Sequence, residues 1–430
     1  MKTVAHFAPT FWSALASVKD FRNPVRIVYS IQEELLVGVM MFMLKTGARR
    51  NIKFKLATPE FIQNLQVIGR QIYPGTVFPD TLLCGDTLNY LLSGIGDVAL
   101  PAVRTEVIRS LLRKRCLEPF RIQGLYYPVA IDGTGYLTFK SQHCSHCLTR
   151  TKDGKTTYFH HVLEAKLALG NGFALSIGTE FIENERPDVP KQDCERKAFF
   201  RLAQRLKQDF PQLKMCLLLD GLYACQTVFD QCRLYHWPYL ITFKEGSMPA
   251  VFADYQALLK LVPQHRRVAG DKTLRQTFRW VNDIAYESHR LNVLECLEET
   301  PEGSTRFVWL SFWTLNTTNV ESIANQGARR RWVIENQGFN VQKTGGYALE
   351  HAYSTHNTAM KNFYALLQIA HIFNQLMEKG SLLRDHLKNS MGSLKVFSAK
   401  LWAAFTMTRI DPVALQTLCA QRIQIRFNSS

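Results

Sequence analysis

Leu213-Lys214-Met215-Cys216-Leu217-Leu218-Leu219 is apolar but for one lysine, and Asp220-Gly221 closes it. So short and so apolar a run reads as a strand covered on both faces rather than a helix with one wet side. A chain with such a strand needs packed layers above and below it, which points to an α/β architecture. A second apolar run, Val129-Ala130-Ile131, meets Asp132-Gly133-Thr134-Gly135 in the same way. Each run delivers a carboxylate to the end of an apolar stretch.

Periodicity divides the rest of the chain. Residues 1–125 read as a helical, basic domain, with helices over 27–44, 86–92 and 102–116. The last carries Arg104, Arg109, Arg113, Lys114 and Arg115. Such a domain ahead of a core suits recognition of a DNA end, although a solvated basic helix face explains the same residues. From Tyr126 the pattern turns to strands over 127–139, 157–169 and 173–182, the last two joined at Gly170-Asn171-Gly172. Asp193 is placed to cap a helix running to about Phe210, with Ala198, Phe199, Leu202, Ala203 and Leu206 at helical spacing. A fourth strand over 213–219, a helix over 224–235 and a fifth strand over 239–243 follow. Three strands, a helix, a strand, a helix and a strand is the order of an RNase H-like core, here 126–246. Residues 247–318 alternate around 277–281, 291–294 and 307–310 and read as a β-rich insertion. Residues 319–380 are expected to complete the core, and 381–430 to form a helical C-terminal region. The expected fold class is therefore α/β, an RNase H-like mixed-sheet core with an inserted mainly-β subdomain and helical flanks.

The chain has 430 residues, of which 46% are hydrophobic, enough for sizeable cores. Its 52 Lys+Arg against 36 Asp+Glu leave a formal charge of +16, spread along the whole length. That excess suits a polyanion, because neutralising phosphates drives non-specific DNA affinity. No secretory leader is evident, and the apolar run from Leu35 to Leu44 is too short to span a bilayer. Cysteines at 84, 216, 296 and 419 stand singly in apolar surroundings, the usage of a reduced, cytoplasmic protein.

The third acid of interest is Glu335 in Arg331-Trp332-Val333-Ile334-Glu335-Asn336, a basic, helix-like stretch. Asp132 and Asp220 are 220 − 132 = 88 positions apart, and Asp220 and Glu335 are 335 − 220 = 115 apart. Two strand-end aspartates and a helix glutamate can hold two hard cations, Mg²⁺ or Mn²⁺. Ions about 3.5–4 Å apart activate a nucleophile and stabilise the leaving oxygen in phosphoryl transfer. Taken singly, each acid is as readily a loop or cap residue.

Together the pieces Ile131-Asp132-Gly133-Thr134, Lys191-Gln192-Asp193-Cys194-Glu195, Leu219-Asp220-Gly221-Leu222-Tyr223, Phe243-Lys244-Glu245-Gly246, Arg331-Trp332-Val333-Ile334-Glu335 and His356-Asn357-Thr358-Ala359-Met360-Lys361-Asn362 resemble DDE transposases. The likeness is to the bacterial insertion-sequence, cut-and-paste type with a β insertion before the final Glu, and it covers about residues 126–375. It implies Asp132, Asp220 and Glu335 as catalytic and metal-binding residues. It also implies double-stranded DNA, both element ends and target, as partner, a homodimer in the DNA complex, no membrane, and a bacterial cytoplasm, nucleoid-associated. In that family a Tyr-Arg-Glu-Lys signature surrounds the Glu. Arg331 fits it, four before Glu335; Ala328 stands where the Tyr should be; and Lys343 lies one residue past the usual Lys spacing, which Gln342 fills. Arg331, Arg330, Lys343 and Lys244 are the expected DNA contacts. Arg331 and Glu335, at i and i+4, are expected to share a helix face, as phosphate grip and metal ligand or as a plain ion pair.

Cys144 and Cys147 in His143-Cys144-Ser145-His146-Cys147 have the spacing of a zinc knuckle, and His160 in Tyr158-Phe159-His160-His161 follows within reach of a hairpin. A structural Zn²⁺ is the expected occupant, with His143, His146 or His161 as fourth ligand. A thiol-rich loop without metal is the plainer alternative. Trp237, Trp280, Trp309, Trp313 and Trp332 are read first as core, though a tryptophan can stack on an unpaired base. Three functions fit: a transposase cleaving element ends and joining them to target DNA, a catalytically silent DNA-binding derivative, or a non-transposing RNase H-like nuclease.

Overall fold

Ten strands hydrogen-bond into one mixed sheet in the computed structural model, which describes residues 1–186, 189–271, 273–386 and 394–427. They are β1 (Tyr127–Phe139), β2 (Leu148–Lys152), β3 (Lys155–Ala168), β4 (Ala174–Ile182), β5 (Met215–Leu219), β6 (Tyr239–Thr242), β7 (Arg266–Gly270), β8 (Arg275–Tyr286), β9 (His289–Thr300) and β10 (Gly303–Ser311). The order across the sheet is β2-β3-β1-β5-β6-β10-β9-β8-β7, with β4 also paired to β3. β1, β3 and β4 are antiparallel neighbours, while β5 and β6 run parallel to β1. Of the first six strands, five lie in the order β4-β3-β1-β5-β6, with β2 also paired to β3.

The period-two alternation of the central strands separates two cores. Ala130, Cys216, Leu218 and Leu240 turn to one face, against Ala328, Ile334 and Phe339. Val129, Ile131, Leu217, Leu219 and Ile241 join the larger core on the other. All five residues of β5 are buried, as its composition predicts for a strand with both faces covered. The Glu195–Asp209 helix lies on β4 and β3, and Gly178 makes room for it, since a Cβ there would stand 2.9 Å from Leu202 and Leu206.

Several expectations shift. The first long helix is Ile31–Met43, because Ser30 caps it with its hydroxyl and Asn23 starts a separate 3-10 turn over Pro24–Arg26. A helix not expected from the sequence, Pro59–Ile72, follows, and the helices expected over 86–92 and 102–116 are Gly85–Gly94 and Ala99–Arg113. Asp193 does not cap its helix; Cys194 holds that position, and the Asp193 carboxylate pairs with Arg201 instead, 2.6 Å away. β2 is an added strand, too polar to signal itself. The 247–318 segment opens on a helix, Pro249–Leu261, and its strands continue the sheet directly: β10 pairs with β6 through Trp309↔Thr242, Leu310↔Ile241 and Ser311↔Leu240. The helical reading of the C-terminal region is met by Ser381–His386, Leu394–Met407 and Pro412–Ala420; residues 387–393 lie outside the described residues.

Of the basic residues expected on a DNA-recognition helix, Arg104 is buried, while Arg109, Arg113, Lys114 and Arg115 are exposed. Arg104 donates to Ser176 and Thr179 and faces Glu164 at 3.9 Å. Arg109 donates to the Asp209 carbonyl, and Arg113 pairs with Glu106. Among the described residues no helix is long and apolar enough to cross a membrane; the apolar run from Leu35 lies in the buried Ile31–Met43 helix.

Candidate functional site

The parallel register of β1 and β5 runs from Tyr127↔Met215 to Ala130↔Leu218. Carried two residues further it sets Asp132 beside Asp220, although 88 positions separate them in sequence. Side chains two apart share a face, so Asp132 follows Ala130 toward the segment that carries Glu335. β5 stops at Leu219. There Asp220 accepts the Leu222 N–H at 2.9 Å and caps the Gly221–Tyr223 3-10 turn, half-buried at the sheet end.

Asp132 Oδ1 accepts the Gly133 N–H at 3.0 Å, and Oδ2 lies 3.1 Å from Arg331 Nη1. Burial pushes the Asp132 carboxyl above the ordinary aspartate range. Arg331 opposes that shift, while Asp220 and then Glu335 reinforce it. Arg331 and Glu335 both bear on Asp132, Arg331 as its ion-pair partner, although the segment is not one regular helix. It runs as a 3-10 turn over Ala328–Arg331 and a π-helical turn over Ile334–Phe339. Arg331 is thereby free to turn across to β1, and its guanidinium also lies 4.5 Å over the Trp332 ring. Gly327 and Gly338 let this backbone press on the sheet: a Cβ on the first would stand 2.6 Å from Leu240, and on the second 3.1 Å from Lys166.

A fourth acid joins from the opposite face. Glu195 is the first residue of the Glu195–Asp209 helix, and its carboxylate lies over Gly133, where a Cβ would collide with it. Burial raises its pKa, and Asp132 and Asp220 raise it further. Tyr223 donates to Glu195 Oε2 at 3.5 Å. The sequence contained this residue in the Lys191–Glu195 piece, but no spacing rule marks a helix-start glutamate as anything but a favourable dipole partner. Asp132, Asp220 and Glu335, with Arg331 paired to Asp132 and Glu195 close to both aspartates, leave net negative charge in a half-buried place. That chemistry suits hard divalent cations. The acids do not close to within 4.8 Å as a group; among the described residues only His143, Cys144, Cys147 and His160 do so.

The remaining expected contacts are dispersed. Arg330 donates to the Phe120 carbonyl at 3.0 Å and packs over Gly170, which ties the segment to the sheet. Lys343 pairs with Glu350 at 2.9 Å. Lys244 is exposed where the chain enters the Glu245–Ser247 turn. His356 caps the Asn357–Lys379 helix. Of the tryptophans, Trp237, Trp280 and Trp309 are buried, Trp313 is half-buried, and Trp332 is 48% exposed beside Arg331.

Neither the protein-family models nor the curated proteins give a match to this chain. Among solved structures, the cryo-EM structure of a piggyBac transposase synaptic complex with hairpin DNA superposes with a TM-score of 0.40 at 10% identity, over 98% of this chain and 82% of that one. A superposition that loose assigns neither fold nor function.

Proposed function

We propose that this chain is a DDE-type DNA transposase, which cuts DNA at element ends and joins the freed 3′ hydroxyl to target DNA. The observation that carries the reading is the adjacency of Asp132, within β1, to Asp220, just past the end of the parallel strand β5, with Glu335 and Arg331 brought in from a later segment. The strand order β4-β3-β1-β5-β6, in which β3 alone runs antiparallel to β1, supports an RNase H-like core. The charge of +16 favours a phosphate backbone as partner.

In this reading Asp132, Asp220 and Glu335 hold Mg²⁺ or Mn²⁺, which when bound supplies nucleophile activation and leaving-group stabilisation. Arg331 steadies Asp132 and offers a guanidinium to the scissile phosphate. Arg330, Lys343 and Lys244 lie on the DNA path, Arg330 chiefly by holding the Glu335 segment. Trp332 offers an exposed ring for an unpaired base. The partner is double-stranded DNA, bound by a homodimer in a bacterial cytoplasm.

The test is cleavage of a plasmid carrying the coding region with its flanking DNA, in Mg²⁺ or Mn²⁺. Asp132→Ala, Asp220→Ala and Glu335→Ala are each expected to abolish cutting while DNA retention in a mobility-shift assay stays near wild type. A triad variant that cuts at the wild-type rate overturns the assignment. Wild-type binding without cutting in either metal identifies a silent binder. Cutting without strand joining, indifferent to flanking sequence, identifies a nuclease.

A further inference from the structure

The loop between β1 and β2 brings four soft donors together without help from any other element but β3. Cys144 Sγ and Cys147 Sγ are 3.5 Å apart, and His160 Nε2 lies 3.4 Å from the first and 3.6 Å from the second. His143 closes the group, its Nδ1 3.3 Å from Cys147 Sγ and its Nε2 3.3 Å from His160 Nε2. Zinc–ligand bonds of about 2.3 Å to sulfur and 2.0–2.1 Å to nitrogen put tetrahedral edges at about 3.8 Å (S···S), 3.6 Å (S···N) and 3.3 Å (N···N). The three edges among Cys144, Cys147 and His160 match within a few tenths of an ångström, and His143 brings one nitrogen so that all four donor atoms lie within 4.8 Å of one another. The cysteines are not joined as a disulfide.

The other two histidines are elsewhere engaged. His146 Nδ1 donates to the Asn184 carbonyl at 2.9 Å. His161 neighbours His160 on a strand and so points to the opposite face. We propose that His143, Cys144, Cys147 and His160 form a structural Zn²⁺ site. The ion takes two thiolates and two neutral imidazoles, and the two thiol protons leave to solvent. All four positions are filled by protein, so no place is left for a reacting water.

The loop so fixed holds a second segment. Asn184 donates its backbone N–H to the His146 carbonyl at 3.1 Å and its side-chain amide to the Cys147 carbonyl at 3.1 Å. Its Oδ1 accepts the Asp193 N–H at 3.2 Å. Gln192 accepts from Thr149 N–H at 2.6 Å and donates to the Thr149 carbonyl at 2.9 Å. Residues 192 and 193 lead straight into the helix that starts at Glu195. The zinc loop is therefore an anchor for the start of that helix, and the site stands whether or not the acids perform the proposed reaction.

Full-length protein purified under reductant, without a chelating column, is expected to carry about one zinc per chain by elemental analysis. Replacing the ion with Co²⁺ should give the visible absorption of a tetrahedral site with thiolate charge-transfer bands. Cys144→Ser, Cys147→Ser and His143→Ala should lose the metal and lower the melting temperature. His146→Ala, His161→Ala and Asp132→Ala should keep the metal. Should the cysteine variants fail to fold, alkylation of the wild type decides the matter: Cys144 and Cys147 should be protected until a strong chelator is added. Metal-free protein that takes up no Co²⁺, a Cys144–Cys147 disulfide in the fresh protein, or full zinc retention by His143→Ala with Cys144→Ser overturns the proposal.

Discussion

A single absent side chain lets the two sides of the sheet meet. Gly133 has no Cβ, so Glu195 reaches over it from the helix on one face while Asp132 turns to the other. Crowded carboxylates hold their protons more tightly, and Glu195 is raised by both aspartates. In the proposed reaction it acts as a positioning residue that adds charge behind the metal ligands. Glu195→Gln is expected to raise the Mg²⁺ concentration for half-maximal cleavage on the order of tenfold, with DNA binding and melting temperature little changed. Glu195→Asp should recover part of the effect. A variant that loses thermal stability but keeps its metal dependence would show Glu195 to be a packing residue only. The aspartates were legible in sequence because each follows a short apolar run; Glu195 was not, because its proposed role depends on a glycine 62 positions earlier (195 − 133).

Helix Ile31–Met43 buries an acid pair that its sequence disguises. Ser30 and Glu33 look like a capping box, and Ser30 does accept the Glu33 N–H at 3.2 Å. The Glu33 carboxyl, though, is fully buried and has no hydrogen-bond partner among the described residues, while Glu34 pairs with Arg22. Burial, with Glu34 adding to it, pushes Glu33 up to about 8; burial pushes Glu34 up to about 7 in spite of Arg22. The folded form therefore binds these protons more tightly than the unfolded form. Stability is full below the ordinary glutamate range and is lost as pH rises through about 7 to 8. Urea midpoints measured from about pH 5 to about pH 8 should fall with pH, and Glu33→Gln should flatten the fall; an unchanged slope in that variant would refute it. The same distinction between pattern and partner limited the reading of other elements. Apolar runs placed β1, β3, β4, β5 and β6 within two residues, because most of each strand is buried. The 328–339 segment has helical composition but irregular turns, imposed by Gly327 and Gly338 pressed on the sheet, and no local rule foretells which way Arg331 then turns.

At the scale of the whole molecule the charge excess survives although many arginines are tied up internally. If the chain binds DNA, log affinity should fall against log salt with a slope of roughly 0.9 per phosphate contacted. A slope near zero between low and physiological salt in a fluorescence-anisotropy titration would remove nucleic acid as the partner. Helical flanks, the central sheet and the β-rich segment were foreseeable from composition and period. That the β-rich segment would continue the sheet through β10 and β6 was not, since strand edges carry no sequence label for their partner.

The register that aligns Asp132 with Asp220 joins distant parts of the chain, and Glu335 arrives 335 − 132 = 203 residues after the first acid. At a synthesis rate of about 5–20 residues per second, roughly 10–40 s separate the first acid from the last at the ribosome. For that whole interval the nascent chain has the strands of a core but lacks the complete acidic centre. On the proposed function, a prematurely released polypeptide that ends before residue 335 lacks the third acid and is expected to be inert toward DNA.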